Sequence, residues 1–421
     1  AVWLVFGLGV LGAEVSMMDR ALGVRSELRG KVMPYWLKTV DWERGGYLLA
    51  DDGEGRGEAR DKQLVSQARM VWGFSVAHQK GLGGEGRDYL VAARSGVEFL
   101  ESAFRDREHG GYYWKVDLEG KPVNSCKFLY GEAFVVYALV EYHRASGDEA
   151  ALGAAMKLYE DIQRHMYDKE HGGWIEHTEA DWVPLKRGDS RNEVEVVGYK
   201  SANAHLHWME ALSELFLETR DAGVGKSLSE ALEINCDYFY PEDAGKSCFH
   251  RQADWSVVTE PSSAGLSYGH NVEFAWLMVR AMQVLGREPL WGHFSAHLDH
   301  ALKHGVDEGR GGLYSRGVGD EAANDTVKVW WAQAEWMAAL VDGMWYRPDP
   351  RYQPALEAVM RFTWEHMVDP RDGMWYDTVA ADGKALRKAK AHNWKAAYHD
   401  VRAMVKLIDL YGEWGGGGTG K

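Results

Sequence analysis

Six polar residues sit inside otherwise apolar helical patterns: Arg69, Glu132, His207, His270, Glu335 and His399. They recur at intervals of 63 to 75 residues, each near the start of a helical stretch. His270 lies in Ser267-Tyr268-Gly269-His270-Asn271-Val272-Glu273, where Glu273 shares its helix face and is expected to orient or polarise the imidazole. His207 ends Ser201-Ala202-Asn203-Ala204-His205-Leu206-His207. Two positions apart on a helix means about 200° of rotation, so His205 and His207 cannot share one metal ion, and register puts His207 towards the cavity. In Lys328–Glu335, Trp331 and Glu335 are four apart, an aromatic platform beside a carboxylate that suits a sugar ring. Trp394–Arg402 carries His399 with Arg402 one turn on. Arg69, in Gln67-Ala68-Arg69-Met70-Val71-Trp72, needs a carboxylate such as Glu132 or Glu335, or a substrate oxygen.

Imidazoles titrate near neutrality and serve as general acids and bases. Two of them on opposite faces of a carbon next to a carbonyl could remove a proton and return one from the other side, with an arginine on the developing oxyanion. That chemistry is epimerisation through an enediol, or aldose–ketose isomerisation. An alternative is glycoside hydrolysis, for which Glu273 and Glu335 are the carboxylate candidates, but histidines hold the register positions. A sugar- or protein-binding module without catalysis is the reading from another class. The chain shows no phosphate loop, nucleophile motif or cysteine–histidine zinc spacing, and no metal or cofactor is expected.

The elements that must position these residues follow an internal period. Glycine marks recur every 62 to 73 residues: Arg44-Gly45-Gly46-Tyr47, His109-Gly110-Gly111-Tyr112, His171-Gly172-Gly173-Trp174, Asp243-Ala244-Gly245, Arg310-Gly311-Gly312-Leu313 and Arg371-Asp372-Gly373-Met374. Alternating runs such as Tyr112–Asp117 follow them and predict short β-hairpins. Motif-bearing helices are predicted near 62–79, 130–145, 203–221, 270–285, 330–346 and 394–411. Plainer amphipathic helices are predicted near 18–40, 89–104, 148–166, 226–238, 289–305 and 352–367. Six helical hairpins of this kind predict an all-α fold, an (α/α)6 barrel with short β-hairpin excursions in its loops, whose inner helix starts gather at one mouth.

The chain has 421 residues and a formal net charge of −15, which argues against nucleic acid or an anionic membrane as partner. Its 19 Trp and 20 Tyr favour a carbohydrate ligand. Residues 1–16 begin with a short apolar run resembling the core of an export signal, which would place the protein outside the cytoplasm, for instance in a periplasm; the alternative is a non-native or fragmentary start and a cytoplasmic protein. Residues 17–412 are expected to form one catalytic domain, as a monomer or homodimer, and 413–421 a glycine-rich tail.

Taken together, SxNxHLH, SYGHNVE, WWAQAE, WKAAYHDVRA and QARMVW resemble the N-acylglucosamine 2-epimerase superfamily, its cellobiose and mannose epimerase branches most of all. The resemblance spans about residues 18–411. It implies cofactor-independent proton transfer at C2 of a reducing sugar, with His270 and His399 as the acid/base pair. It further implies His207 in ring opening or sugar binding and Arg69 by the C2 and O1/O2 region. Candidate substrate contacts are Asn203, Glu273, Trp331, Glu335, Trp394, Tyr130 and Glu132. Three departures leave the sugar open between a disaccharide and a monosaccharide: Glu132 where the cellobiose branch carries Gln, Asn271 where it carries Asp, and Lys62-Gln63-Leu64-Val65.

Overall fold

Each glycine mark ends one outer helix and starts the crossing to the next inner helix. The computed structural model describes residues 17–50, 58–84, 88–191, 193–259 and 265–415. The inner helices among them are α2 (Leu64–Gln79), α4 (Leu129–Ser146), α6 (Ala202–Thr219), α8 (Tyr268–Val284), α10 (Trp330–Tyr346) and α12 (His399–Gly415). The outer helices are α1 (Met17–Glu27, prolonged through Met33–Leu37), α3 (Tyr89–Phe99), α5 (Glu149–His165), α7 (Ala222–Ile234), α9 (Trp291–His300) and α11 (Tyr352–Phe362). Aspartates at 88, 148 and 221 cap α3, α5 and α7 by accepting from the free amides of the first turn. The apolar segment expected as an export signal, 1–16, lies outside the described residues. Helix α12 runs to Gly415, into the expected tail, and the rest of that tail also lies outside them.

Neighbouring inner helices pack side by side from α2 round to α12, and each outer helix backs the inner helix that precedes it. The chain's first helix, α1, backs its last, α12, so the two termini complete the sixth pair. The ring closes where Gly73 of α2 meets the segment before α12: a Cβ there would come within 2.2 Å of the Ala397 carbonyl oxygen. The inner helices are buried almost all round, whereas the outer ones bury one stripe. The architecture is the expected all-α (α/α)6 barrel.

Two-residue and three-residue strands stitch adjacent repeats at one mouth. The strand just before an inner helix pairs antiparallel with the excursion of the next repeat, as in Lys127–Phe128 with His177–Thr178 and Lys200–Ser201 with His250–Arg251. A lysine in four of these strands is buried and reaches the aspartate of the preceding glycine turn: Lys62–Asp41 at 2.9 Å, Lys127–Asp106 and Lys200–Asp168 at 2.8 Å, and Lys328–Asp307 at 2.7 Å. In the fourth repeat that strand reads Leu266–Ser267 instead.

A second pin comes from the inner helices. Gln67 accepts from the Tyr47 amide at 2.8 Å and donates to its carbonyl at 3.0 Å; Gln333 treats Leu313 the same way, at 2.7 Å both times. His205 accepts from the Trp174 amide, and Asn271 donates to the Ala244 carbonyl. Glu132 holds the equivalent place, accepting from the Tyr112 amide at 2.9 Å. Gly111 makes room for it, since a Cβ there would lie 3.1 Å from Glu132 Oε1 in a backbone already at φ +69°. Glu132 was expected to bind substrate; it instead points outward to this turn. Burial pushes its carboxyl up to about 8, so near neutrality it is a protonated acid standing in for glutamine.

A testable consequence concerns stability. An unfolded glutamate releases its proton near pH 4.5, whereas folded Glu132 holds it to about pH 8, so folding loses stability as pH rises through that window. Glu132→Gln is expected to be neutral below pH 4.5 and to raise the melting temperature progressively towards pH 8, where the gain is on the order of a few kcal/mol. Thermal melts of both proteins at pH 4, 6 and 8 check this; a gain independent of pH would contradict it.

Candidate active site

Two positions on from each pinning residue, a helix has turned about 200° and faces the barrel axis. Those positions hold Arg69, Phe134, His207, Glu273 and Glu335, and Arg402 takes the corresponding place on α12, two residues after Asp400. His270 and His399 lie one residue beyond the opposite side of the same turns, at the very starts of α8 and α12. Ser267 caps α8 by accepting from the His270 amide at 3.3 Å, which fixes the backbone of that histidine. Helix α12 starts at His399, five residues later than Trp394 where the sequence predicted it. The reason is local: His392 and Lys395 form a β-bridge and hold 392–398 off the helix.

The cavity gathers most of the expected set. His270 and His399 flank the Trp331 ring, their centroids 4.6 and 5.9 Å from it. Phe249 closes over His270 edge-on at 5.2 Å. Tyr130 stands edge-on to His207 at 5.2 Å and 6.3 Å from Trp394. Arg69 donates to the Tyr130 hydroxyl at 2.8 Å and to the Trp394 carbonyl at 2.9 Å, and its guanidinium lies 4.3 Å from the Phe134 ring centre. The phenol accepts from Arg69, so its own proton is free to point into the cavity. Asn203, partly exposed at the rim, donates to Glu195 at 3.0 Å, and Glu195 also accepts from His250 at 2.9 Å.

Behind the histidines lies a buried charged layer that sequence reasoning only half identified. Arg402 donates through one nitrogen to Glu210 and to the Tyr398 oxygen, both at 2.5 Å, and through the other to Glu335 at 2.7 Å and Glu273 at 3.0 Å. Tyr398 donates to Glu210 at 2.7 Å. Trp276 donates to the second oxygen of Glu335 at 3.0 Å. His207 donates from Nδ1 to Glu210 at 2.8 Å, and His399 from Nδ1 to Glu335 at 2.6 Å. Glu273, expected to orient His270, is turned to Arg402 instead, and His270 Nδ1 has no hydrogen-bond partner among the described residues. Glu210 was missed although it stands three residues after His207, the spacing that drew attention to Glu273.

The electrostatics sort these groups. Burial lowers His270 to about 3, with His207 nearby adding to the effect, and lowers His399 to about 3 despite its bond to Glu335. Both imidazoles are therefore neutral and able to accept a proton. Burial works against charge on Glu335 and Glu210 too, but Arg402 and the histidines hold each down at about 2. Glu273 goes the other way: burial and the neighbouring Glu335 raise it well above the carboxylate range. One ionised and one protonated carboxyl therefore share Arg402. Among the described residues, Glu273, Glu335 and His399 lie close enough to hold a metal ion, but the Arg402 guanidinium already supplies the positive charge there. His300, His304 and Asp320 form a second such group on the outer side of the barrel.

With this geometry, the relatives can be placed. A cellobiose 2-epimerase of Ruminococcus albus is 32% identical over 391 residues, covering 91% of this chain and 97% of that one. The human N-acylglucosamine 2-epimerase is 24% identical over 400 residues, covering 91% and 88%. The solved cellobiose 2-epimerase of Spirochaeta thermophila superposes with a TM-score of 0.83 at 30% identity, over 94% of this chain and 98% of that one. A solved D-mannose isomerase, at 22% identity and a TM-score of 0.80, shares the fold. The family model described as N-acylglucosamine 2-epimerase (GlcNAc 2-epimerase) matches residues 45–403, and the chain belongs to that family.

Proposed function

We propose that His270 and His399 are the two acid/base groups with which this carbohydrate 2-epimerase, an isomerase, inverts C2 of a reducing sugar. The observation that supports the pair is their shared Trp331 ring: two neutral imidazoles approach one aromatic platform from α8 and α12. A sugar carbon stacked on that ring would present its proton to one histidine and its opposite face to the other. His399 commits Nδ1–H to Glu335, so Nε2 carries the lone pair that takes the proton, and Glu335 stabilises the imidazolium that forms. The enediolate left at C1 and C2 needs donors on its oxygen. The Tyr130 hydroxyl and Arg69 are placed for that role, with His207, backed by Glu210, suited to opening the sugar ring by moving its hydroxyl proton.

A hydrolytic reading fits less well. Glu273 and Glu335 both face Arg402 rather than a cleft, and a carboxylate pair flanking a glycosidic bond is what hydrolysis requires. Substrate size rests on the relatives alone. Cellobiose comes first as the candidate substrate, because relatives named for it cover nearly the whole chain at about one-third identity.

Product analysis in deuterated water tests the reaction. Incubation with cellobiose, mannose and N-acetylglucosamine is expected to yield the C2 epimer of at least one, labelled at C2. A ketose product would move the activity to isomerisation, and no exchange with any of them would sink both. His270→Ala and His399→Ala are each expected to lower turnover on the order of 10²–10⁴-fold. Each should still wash deuterium into one epimer only, and the two variants into opposite epimers.

Glu335→Gln keeps the volume but removes the anion behind His399 and allows the amide to impose the wrong tautomer. It is expected to lower kcat on the order of 10³-fold or more and, because it takes one anion from buried Arg402, to lower the melting temperature as well, so kcat is measured on protein shown by circular dichroism to be folded. Near-normal kcat would remove Glu335 from the mechanism.

A further inference from the structure

His399 and His207 each have a carboxylate behind the ring; His270 does not. Behind His270 lies a small cavity of about 10 Å³ lined by Tyr240, Ser247, Cys248, Asn271 and His270 itself. Four buried polar atoms of these residues make no hydrogen bond among the described residues: His270 Nδ1, Tyr240 Oη, Ser247 Oγ and Asn271 Oδ1. Tyr240 is 2%, Asn271 1% and Ser247 8% exposed, so bulk solvent does not serve them. Four orphaned polar groups on residues that line one small cavity are rare, because each carries a desolvation cost of about 1–3 kcal/mol. Their orientations are fixed from outside. Tyr240 lies flat on Phe274 at 4.6 Å, and the Asn271 amide nitrogen is held by the Ala244 carbonyl, which turns Oδ1 away from it.

We propose that this cavity is a site for one structural water that positions the His270 imidazole, with Tyr240, Ser247 and Asn271 as positioning residues. A volume of this size admits a single water and no larger ligand. The donors and acceptors balance. The water accepts from His270 Nδ1–H and from the Tyr240 hydroxyl, and it donates to Asn271 Oδ1, which can only accept, and to Ser247 Oγ. That arrangement fixes the tautomer with Nδ1 protonated and leaves Nε2 as the nitrogen that takes and gives the proton, the same outcome that Glu335 achieves for His399. The difference is charge. A water dipole orients the ring without placing an anion against it, whereas Glu335 does both for His399.

The kinetic consequence rests on the acid/base reading of His270; the water site does not, and the test separates the two. A crystal structure of the intact protein at high resolution is expected to show one density peak within hydrogen-bond distance of all four atoms. Direct pairing of those atoms with one another, with the cavity closed, would overturn the site. Tyr240→Phe, which removes one donor, and Ser247→Val, which fills the space, are both expected to fold, as circular dichroism can verify. Each should lower kcat about tenfold with KM unchanged. Each should also slow deuterium wash-in only for the epimer that His399→Ala still exchanges, the one whose proton His270 takes. A peak in the cavity with kcat and wash-in unchanged in both variants would overturn the positioning role. If His270→Ala itself turned over normally, the acid/base reading would fail while the crystallographic result stood.

Discussion

The structure depends on one buried guanidinium. Arg402 reaches Glu210 on α6, Glu273 on α8 and Glu335 on α10 from its own place on α12, and so ties four of the six inner helices into one layer. A lysine could not do this: its ammonium is a point charge, whereas the planar fork addresses separate acceptors on fixed lines. Removing the cation would leave ionised carboxylates buried without a partner, a situation that costs more than the pair contributes when intact. The layer also divides the barrel. The histidines and Trp331 lie on one side, and on the other a separate cavity of about 260 Å³ is lined by Glu210, Trp276, Arg280, Asp342, Arg402 and Lys406.

Charge bookkeeping in that layer explains how neutral imidazoles survive beside acids. Were Glu210, Glu273 and Glu335 all ionised, the net charge with Arg402 would be −2, and the histidines would be drawn to protonate. Glu273 instead keeps its proton, since it sits by Glu335 in a medium that resists a second negative charge. What remains is one anion behind His207 and one behind His399, with Arg402 between them. Under the proposed acid/base roles, the interaction of each anion with its imidazole strengthens when the ring gains a proton.

Much of this was legible in the sequence because the fold repeats. Glycine marks every 62 to 73 residues, with an aromatic or apolar residue soon after the glycines, disclosed the hairpins, and the polar intrusions into apolar helices disclosed the mouth. The errors are informative too. Glu132 entered the list because it breaks an apolar run at nearly the right interval, yet it belongs to the register of Gln67 and Gln333, which turns outward. Two positions on a helix reverse its facing, so a register misjudged by two residues exchanges a turn clasp for a cavity residue. The pairing of His399 with Glu335 was hidden for a different reason: the partners are 64 residues apart and meet only because α10 and α12 are neighbours in the ring. The displaced start of α12 depends on a bridge between His392 and Lys395, for which the sequence offers no periodic signal.

The fourth repeat shows how the chain separates stability from chemistry. Elsewhere a buried lysine clamps the glycine turn, but here Leu266 takes the lysine's place and the turn is held by two histidines. His293 donates to the Tyr240 carbonyl at 2.6 Å and His297 to that of Pro241 at 3.1 Å, both from the outer helix α9. Substituting imidazole hydrogen bonds for an ammonium–carboxylate pair keeps the turn in place without a lysine in the strand that leads into α8. A lysine at that position would sit beside the strand that leads into His270, in surroundings where charge is weakly screened, and would further disfavour an imidazolium there. The same repeat leaves Tyr240, Ser247 and Asn271 turned towards the back of His270. The departure from the repeat thus falls at the helix start that carries His270, one of the two histidines proposed for proton transfer.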